Sequence, residues 1–253
     1  MSTLKRRIAA GLKTRALWLE AGSPVMAEAA VYAGFRFLLI DNEHGPASIE
    51  TTAHMARAIE AAGGHPMVRV AANDPVLLKR VLEIGITSIM IPQVNTVDEA
   101  RAAVAACRYP PQGTRGFAGD IRASRYASAT DYVETANDNL TVMLQIEDPI
   151  GVENAADLAK VDGVDMLFVG PYDMSGGYGK LGATNCSEVE TAIAGIQKIA
   201  DQSNMPLGTV PRDGKSAQDL LRTGFQLVIS GSEIGSAMAA MRTDIADMDP
   251  DWL

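Results

Sequence analysis

Hydrophobic positions in this chain fall in short continuous runs rather than in strict alternation, and the runs recur with helix-length segments between them. They are ALWLEA (16–21), FRFLLIDNE (35–43), HPMVRV (65–70), SIMIPQV (88–94), LTVMLQIE (140–147), DMLFVGP (165–171), PLGTV (206–210) and FQLVIS (225–230). Continuous apolar runs of this length fit parallel strands covered on both faces. Helix starts are signalled in the intervals. Ser23-Pro24 and Asp74-Pro75 each put a capping side chain before a proline at the first helical position, where a missing N–H costs nothing. Thr96 with Glu99, and Ser187 with Glu190, read as capping boxes.

Eight strands, seven helix-sized intervals and a short helix before the first strand predict an α/β chain of the (β/α)8 TIM-barrel class. A doubly wound open sheet is the alternative. It usually has fewer strands and a glycine-rich first turn, and no GxGxxG follows the first run here. No linker or shift in composition divides the chain, so 1–253 reads as a single domain. The longest interruption, 108–139, carries Arg108, Arg115, Arg122 and Arg125 and reads either as a functional loop or subunit contact or as a solvated excursion.

Composition narrows the partners. The chain has 253 residues, 47% of them hydrophobic, and a net charge of −9. An acidic surface argues against nucleic acid and anionic membrane, while leaving room for a small anionic substrate in a cleft of locally opposite charge. Cys107 and Cys186 make no disulfide framework and sit in no CxxC. The basic N-terminus lacks a following apolar segment of signal-peptide length, and no run approaches the ~20 apolar residues that span a bilayer. A soluble, cytoplasmic protein is expected.

In a TIM barrel the chemistry sits at the C-terminal ends of the strands. The predicted ends carry Glu20; Asp41, Glu43 and His44; Arg69; Gln93; Gln145 and Glu147; Gly170-Pro171 leading to Asp173; and Ser230-Gly231-Ser232. Glu147 and Asp173 end adjacent strands. They can share a divalent cation with sites left for water or substrate, as suits Mg²⁺ or Mn²⁺, or simply cap helices. Of three histidines, His54 lies in a helical stretch and His65 begins a strand at the wrong end, which leaves His44 for general acid–base work. Arg69, inside an apolar run, needs a carboxylate partner from the protein or from a substrate. None of the seven lysines falls in a predicted strand or at its immediate end, so a Schiff-base mechanism is not expected.

IDNEHGP, the VRV around Arg69, NDPVLLKRVLEIG, IPQVNTVDEARAAV, RYPPQGTRG, LQIED and FVGPYDMSGGYG together resemble the HpcH/HpaI family of class II pyruvate aldolases, in order from about residue 16 to 235. The resemblance implies a barrel of the phosphoenolpyruvate/pyruvate superfamily. It also implies a hexamer, a dimer of trimers, in which the C-terminal helix is exchanged between neighbours. Glu147 and Asp173 match the family's metal ligands. Arg69 matches the arginine on the pyruvate keto oxygen, and His44 the catalytic histidine. Asp41 matches an acid able to act at a neighbouring subunit's site, and Gly170-Pro171 the stretch lining the pyruvate carboxylate. Tyr172 stands where the family commonly has Ala, which narrows the pocket or changes what sits beside pyruvate. Glu83 stands where an Asp often partners the histidine.

The resulting expectation is reversible cleavage of a 4-hydroxy-2-oxo acid to pyruvate and an aldehyde. The catalytic set is His44, Arg69, Asp41 and Glu83. Arg69, Gly170, Pro171, Tyr172 and Gln145 bind substrate, and Glu147 and Asp173 hold Mg²⁺, Mn²⁺ or Co²⁺. Two alternatives stand beside it: a lyase acting on CoA thioesters, like the citrate lyase β and malyl-CoA lyase relatives, with the 108–125 arginines meeting CoA phosphates, and a non-catalytic barrel that binds oxo acids.

Overall fold

The computed structural model describes residues 3–246 and 248. Its elements run α1 (Leu4–Ala9), β1 (Thr14–Leu19), α2 (Pro24–Tyr32), β2 (Phe37–Asp41), α3 (Ile49–Ala61), β3 (His65–Arg69) and α4 (Pro75–Glu83). Next come β4 (Ser88–Ile91), α5 (Val97–Cys107), α6 (Tyr132–Asn139), β5 (Thr141–Ile146), α7 (Pro149–Leu158) and β6 (Met166–Val169). The chain closes with α8 (Pro171–Gly177), α9 (Ser187–Ser203), β7 (Leu207–Thr209), α10 (Ala217–Arg222), β8 (Leu227–Ser232) and α11 (Glu233–Asp244). The eight strands pair in sequence order, all parallel, and β8 closes on β1. The expected (β/α)8 barrel is the observed fold.

Two apolar layers hold it. One lies between sheet and helices, where residues such as Leu38, Ile40, Met55, Ile59, Leu144 and Ile196 are fully buried. The other fills the barrel with Met67, Met90, Met143 and Met166, the rings of Trp18, Phe37 and Phe168, and Leu4 of α1, which closes the N-terminal end. With apolar side chains on both faces, the strands show no alternation in sequence. Lys5 of α1 pairs with Asp165, whose other oxygen accepts the Val142 N–H, so the plug is fastened to the strands it covers.

The helix starts follow the capping signals with one exception. Ser23 accepts the Met26 N–H, Asp74 those of Val76 and Leu77, and Thr96 and Glu99 form both halves of a capping box. The Ser187–Glu190 box does not form. The helix starts one residue early, with Cys186 at the cap position and no side-chain capping bond, and Glu190 accepts from Arg212 Nε at 2.6 Å. The strands also stop earlier than the apolar runs. β2 ends at Asp41 and β4 at Ile91, and beyond β4 Gln93 takes a positive φ of 52° as the chain turns away.

The 108–139 segment is less irregular than its composition suggests, because its last eight residues form α6. Its arginines largely fasten it down. Arg108 reaches the carbonyls of Asn137 and Gly163, Arg122 reaches the Ile84 carbonyl and Glu60, and Arg115 lies over the Tyr109 ring at 4.3 Å.

His65, the first residue of β3, is buried against Ser88 Oγ at 2.9 Å. Burial pushes its pKa down to about 4, from the ordinary 6.5. The unfolded chain therefore takes up the proton first. The stabilisation is complete above pH 6.5 and drains away as the pH falls towards 4. Relative to His65→Gln, the wild-type protein should lose about 3 kcal/mol across that window. Denaturant titrations of both proteins at pH 7 and pH 4.5 test this, and parallel pH profiles would refute it.

Candidate active site

β2 and β3 pair so that Asp41 and Arg69, the last residue of each, are Cα partners. Their side chains meet as a two-pronged ion pair: Arg69 Nε donates to Asp41 Oδ1 at 2.9 Å and Nη2 to Oδ2 at 2.6 Å. Asp41 is 1% exposed and Arg69 6%. Glu43 Oε2 lies 3.0 Å from the third guanidinium nitrogen, without an aligned hydrogen bond. The Trp18 ring centre is 4.4 Å from the guanidinium carbon. Burial works against the arginine's charge, but the Asp41 bonds and the nearby carboxylates outweigh it and hold the pKa above its ordinary value. The expected partner of Arg69 is thus supplied by the protein.

Asp41 also anchors the next loop, since its Oδ1 accepts the N–H groups of Glu43 and His44. The resemblance pointed Asp41 toward a neighbouring subunit's site. The structure turns it inward instead, because both oxygens are consumed by its own chain. His44 stands on that loop with its side chain 64% exposed, and its Nε2 is 3.9 Å from Glu43 Oε2. Glu83 does not approach it. In a βα unit the strand rises to the C-terminal face and the helix descends, so the last residue of α4 lies at the opposite end of the barrel, where its charge acts on Tyr109. Within one chain the His44–Glu83 pairing does not occur.

Across the barrel mouth, Glu147 follows β5 and is buried. Its Oε1 accepts the Gln93 N–H at 3.0 Å, and Oε2 accepts from the Gln145 amide. Burial lifts its pKa to about 7, with the neighbouring charge of Asp173 adding to the rise. Burial likewise raises Glu43. Asp173 is in the first turn of α8, which Gly170 and Pro171 open. Tyr172 beside it is 58% exposed. His44, Arg69, Gln145, Gly170, Tyr172 and Asp173 all line one cleft of about 480 Å³ at this end. A second cleft, of about 560 Å³, contains Arg115 and Arg125 but also Thr87 and Leu140, which immediately precede β4 and β5, so it lies at the far end. The 108–125 arginines are therefore not at the carboxylates, which removes the structural motive for the CoA reading.

The donor set fits a hard divalent cation. Glu147 and Asp173 repel each other, and neither forms an ion pair with a cationic side chain among the described residues. No group of three or more His, Cys, Asp or Glu gathers as a metal cage among the described residues. A bound ion would therefore keep several positions for water or substrate, as Mg²⁺ and Mn²⁺ do. Trp18, which lines the cleft, and Glu233, which holds the backbone of Glu20 and Ala21 beside it, are absent from the sequence-based site. Trp18 has a legible signal, a large ring at an inward position of β1. Glu233 has none, because its role depends on where the last strand meets the first.

The fold and the cleft define a class: a TIM barrel whose strand ends carry a buried, partnered arginine and two neighbouring carboxylates at the face where such barrels place their chemistry. The HpcH/HpaI aldolase/citrate lyase family profile matches residues 15–240, and the chain belongs to that family. It is 43% identical over 222 residues to the 2-dehydro-3,6-dideoxy-6-sulfogluconate aldolase of Pseudomonas putida, covering 88% of this chain and 87% of that one. It is 39% identical over 218 residues to the 5-keto-4-deoxy-D-glucarate aldolase of Enterobacter sp. (strain 638), covering 86% and 85%. The crystal structure of an HpcH/HpaI aldolase/citrate lyase family protein from Burkholderia cenocepacia J2315 superposes with a TM-score of 0.93 at 35% identity, over 96% of this chain and 98% of that one. The protein is an aldolase, a carbon–carbon lyase.

Gly170 has no room for a side chain: a Cβ there would lie 2.5 Å from Glu147 Oε2 and 2.9 Å from Glu147 Cβ. Gly170→Ala should displace that carboxylate and weaken Mn²⁺ binding at least ~10-fold, the usual cost of disturbing a ligand's support. Mn²⁺ titration followed by electron paramagnetic resonance, with circular dichroism to confirm the fold, reads this directly. Unchanged affinity would remove Glu147 from the metal site.

Proposed function

We propose that this aldolase cleaves a 4-hydroxy-2-oxo acid to pyruvate and an aldehyde, with Glu147 and Asp173 holding Mg²⁺ or Mn²⁺, or Co²⁺ in their place. The observation that carries the reading is the repulsion between Glu147, buried behind Gln145 and Gly170, and Asp173, which lines the same open cleft as Arg69 and His44. A divalent cation there supplies the Lewis acidity that draws electrons into the 2-oxo group. Arg69 keeps guanidinium N–H groups beyond those bound to Asp41, and its fixed charge stabilises the oxygen on which negative charge develops. The backbone at Gly170-Pro171 receives the substrate carboxylate. His44 takes the proton from the 4-hydroxyl, the C3–C4 bond breaks, the aldehyde leaves, and the electron pair remains as the enolate of pyruvate. Protonation at C3 then gives pyruvate.

The named relatives act on 2-oxo or keto sugar acids with a second acidic group, which supports a small polyhydroxylated acid as substrate class. Assembly as a hexamer with α11 exchanged is supported by its exposed apolar stripe, Ile234, Met238, Met241 and Ile245, at helical spacing. In such an assembly Glu83 could meet a neighbouring copy's His44. No helix among the described residues is long and apolar enough to cross a membrane.

Two reactions separate the proposed roles. Oxaloacetate loses CO₂ when its C3–carboxylate bond breaks. The electron pair stays as the same enolate, and there is no hydroxyl proton to remove. His44→Ala should lower aldol cleavage by roughly 10²–10⁴-fold, the usual contribution of a general base, while leaving decarboxylation largely intact. Arg69→Ala should lower both, by about 10²–10³-fold. Exhaustive chelation should abolish both, and Mn²⁺ should restore them. Cleavage that survives chelation would overturn the metal role, and wild-type decarboxylation in Arg69→Ala would overturn the arginine's.

A further inference from the structure

His44 is held by its backbone alone. Its side chain is mostly exposed and its nearest acid is 3.9 Å away. Where the imidazole sits is thus decided by what supports loop 42–46. Asp41 supports it from below, through the N–H groups of Glu43 and His44. The support from the side is the loop after β1. A Cβ on Gly45 would lie 3.3 Å from the Glu20 carbonyl oxygen and 2.4 Å from that of Asp41, so the two backbones touch with no side chain between them. Two residues on, a Cβ placed on Gly22, which has a φ of +62°, would lie 3.4 Å from Pro46 Cγ and 3.6 Å from the Ala47 nitrogen, so this backbone too runs alongside 46–47.

The loop after β1 is itself fixed by one side chain. Glu233, the first residue of α11, is 4% exposed. Its Oε1 accepts the consecutive N–H groups of Glu20 at 2.8 Å and Ala21 at 2.7 Å. Its Oε2 lies 3.4 Å from the Ile234 N–H at the start of its own helix. Two N–H groups at the end of a strand would otherwise be left without acceptors, and a carboxylate receiving both forms strong, charge-assisted bonds. Glu233 therefore clamps the seam where β8 meets β1, at the mouth of the barrel.

We infer that Glu233 is a positioning residue for His44, acting through residues 20–22 on the Gly45–Ala47 backbone. This rests on the acid–base role proposed for His44. Arg69 and Glu147 are held by strands and by their own partners, so loosening the Glu233 clamp displaces the proton-transfer step and spares the enolate site.

The ratio of aldol cleavage to oxaloacetate decarboxylation, measured on the metal-loaded enzyme, tests it. In Glu233→Ala, cleavage should fall roughly 10- to 100-fold, the cost of misplacing a reacting group by about an ångström, while decarboxylation stays within about twofold. Glu233→Gln keeps the Oε1 acceptor and should restore the wild-type ratio. Equal losses in both reactions would mean that Glu233 only holds the fold, and an unchanged ratio at full activity would mean that it holds nothing the reaction needs. Either result overturns the inference. If Glu233→Ala does not fold, Glu233→Asp, whose shorter arm cannot keep both bonds, is read by the same ratio and the same criteria. His44→Ala is measured alongside. A split in His44→Ala without one in Glu233→Ala or Glu233→Asp defeats this inference alone, whereas no split in His44→Ala defeats the acid–base reading and this inference with it.

Discussion

The ion pair between Asp41 and Arg69 is the constraint on which the rest of the site depends. A buried arginine left without a partner costs several kcal/mol, and so does a buried aspartate. The barrel meets both costs with one contact, placed by the parallel register that makes the two residues Cα partners. The guanidinium is then fixed in plane by a fork of two bonds and covered by the Trp18 ring. Because Asp41 also accepts two N–H groups from the following loop, the residue that orients the charge stabiliser is the one that starts the loop bearing His44. Strand and loop chemistry are thereby tied to one carboxylate.

The opposite wall is built on the contrary principle. Glu147 is buried, which disfavours its ionisation, and the nearby charge of Asp173 opposes it further. Such opposition is relieved by a cation. Arg69 lies close enough to lower the Glu147 pKa but is bound to Asp41 and Glu43, so it is not available to neutralise the pair. One wall thus has its charges paired and the other does not, which is the arrangement the proposed metal site requires.

Much of this was legible in the chain because strand order and strand ends follow from hydrophobic runs and proline-marked helix starts. The positions of Arg69, Glu147 and His44 at one face came from counting. What was not legible depends on register and on the direction of helices. The partner of Arg69 could be named only once β2 and β3 were aligned. Glu83 resembles a histidine partner in sequence, yet a helix that descends from the active face carries it to the far end. Glu233 gave no signal, since its contacts bridge the two ends of the chain, 213 residues apart. The capping pair Ser187–Glu190 failed because the helix starts one residue early, with Cys186 at the cap position, and the glutamate is bound by an arginine distant in sequence.

The division between strand and loop also explains how one barrel can keep a reaction and change its substrate. Arg69 and Glu147 sit at or just beyond strand ends, buried and bonded on several sides, and in the proposed mechanism they serve the part of the substrate common to every 2-oxo acid. His44 and Tyr172 lie on a loop and a first helical turn, exposed, and in the proposed mechanism they stand beside the part that becomes the aldehyde. Loop residues tolerate change because few contacts constrain them, whereas altering Arg69 would strand a buried carboxylate. Tyr172 illustrates the asymmetry. Its ring projects at the mouth of the cleft with most of its surface free, so replacing a small residue there with tyrosine costs the fold little. It sits between Pro171 and Asp173, however, so it narrows the approach to the acid proposed to bind metal while the buried Asp41–Arg69 pair lies apart from it. Selectivity for the aldehyde can therefore drift at this rim while the chemistry beneath it stays fixed.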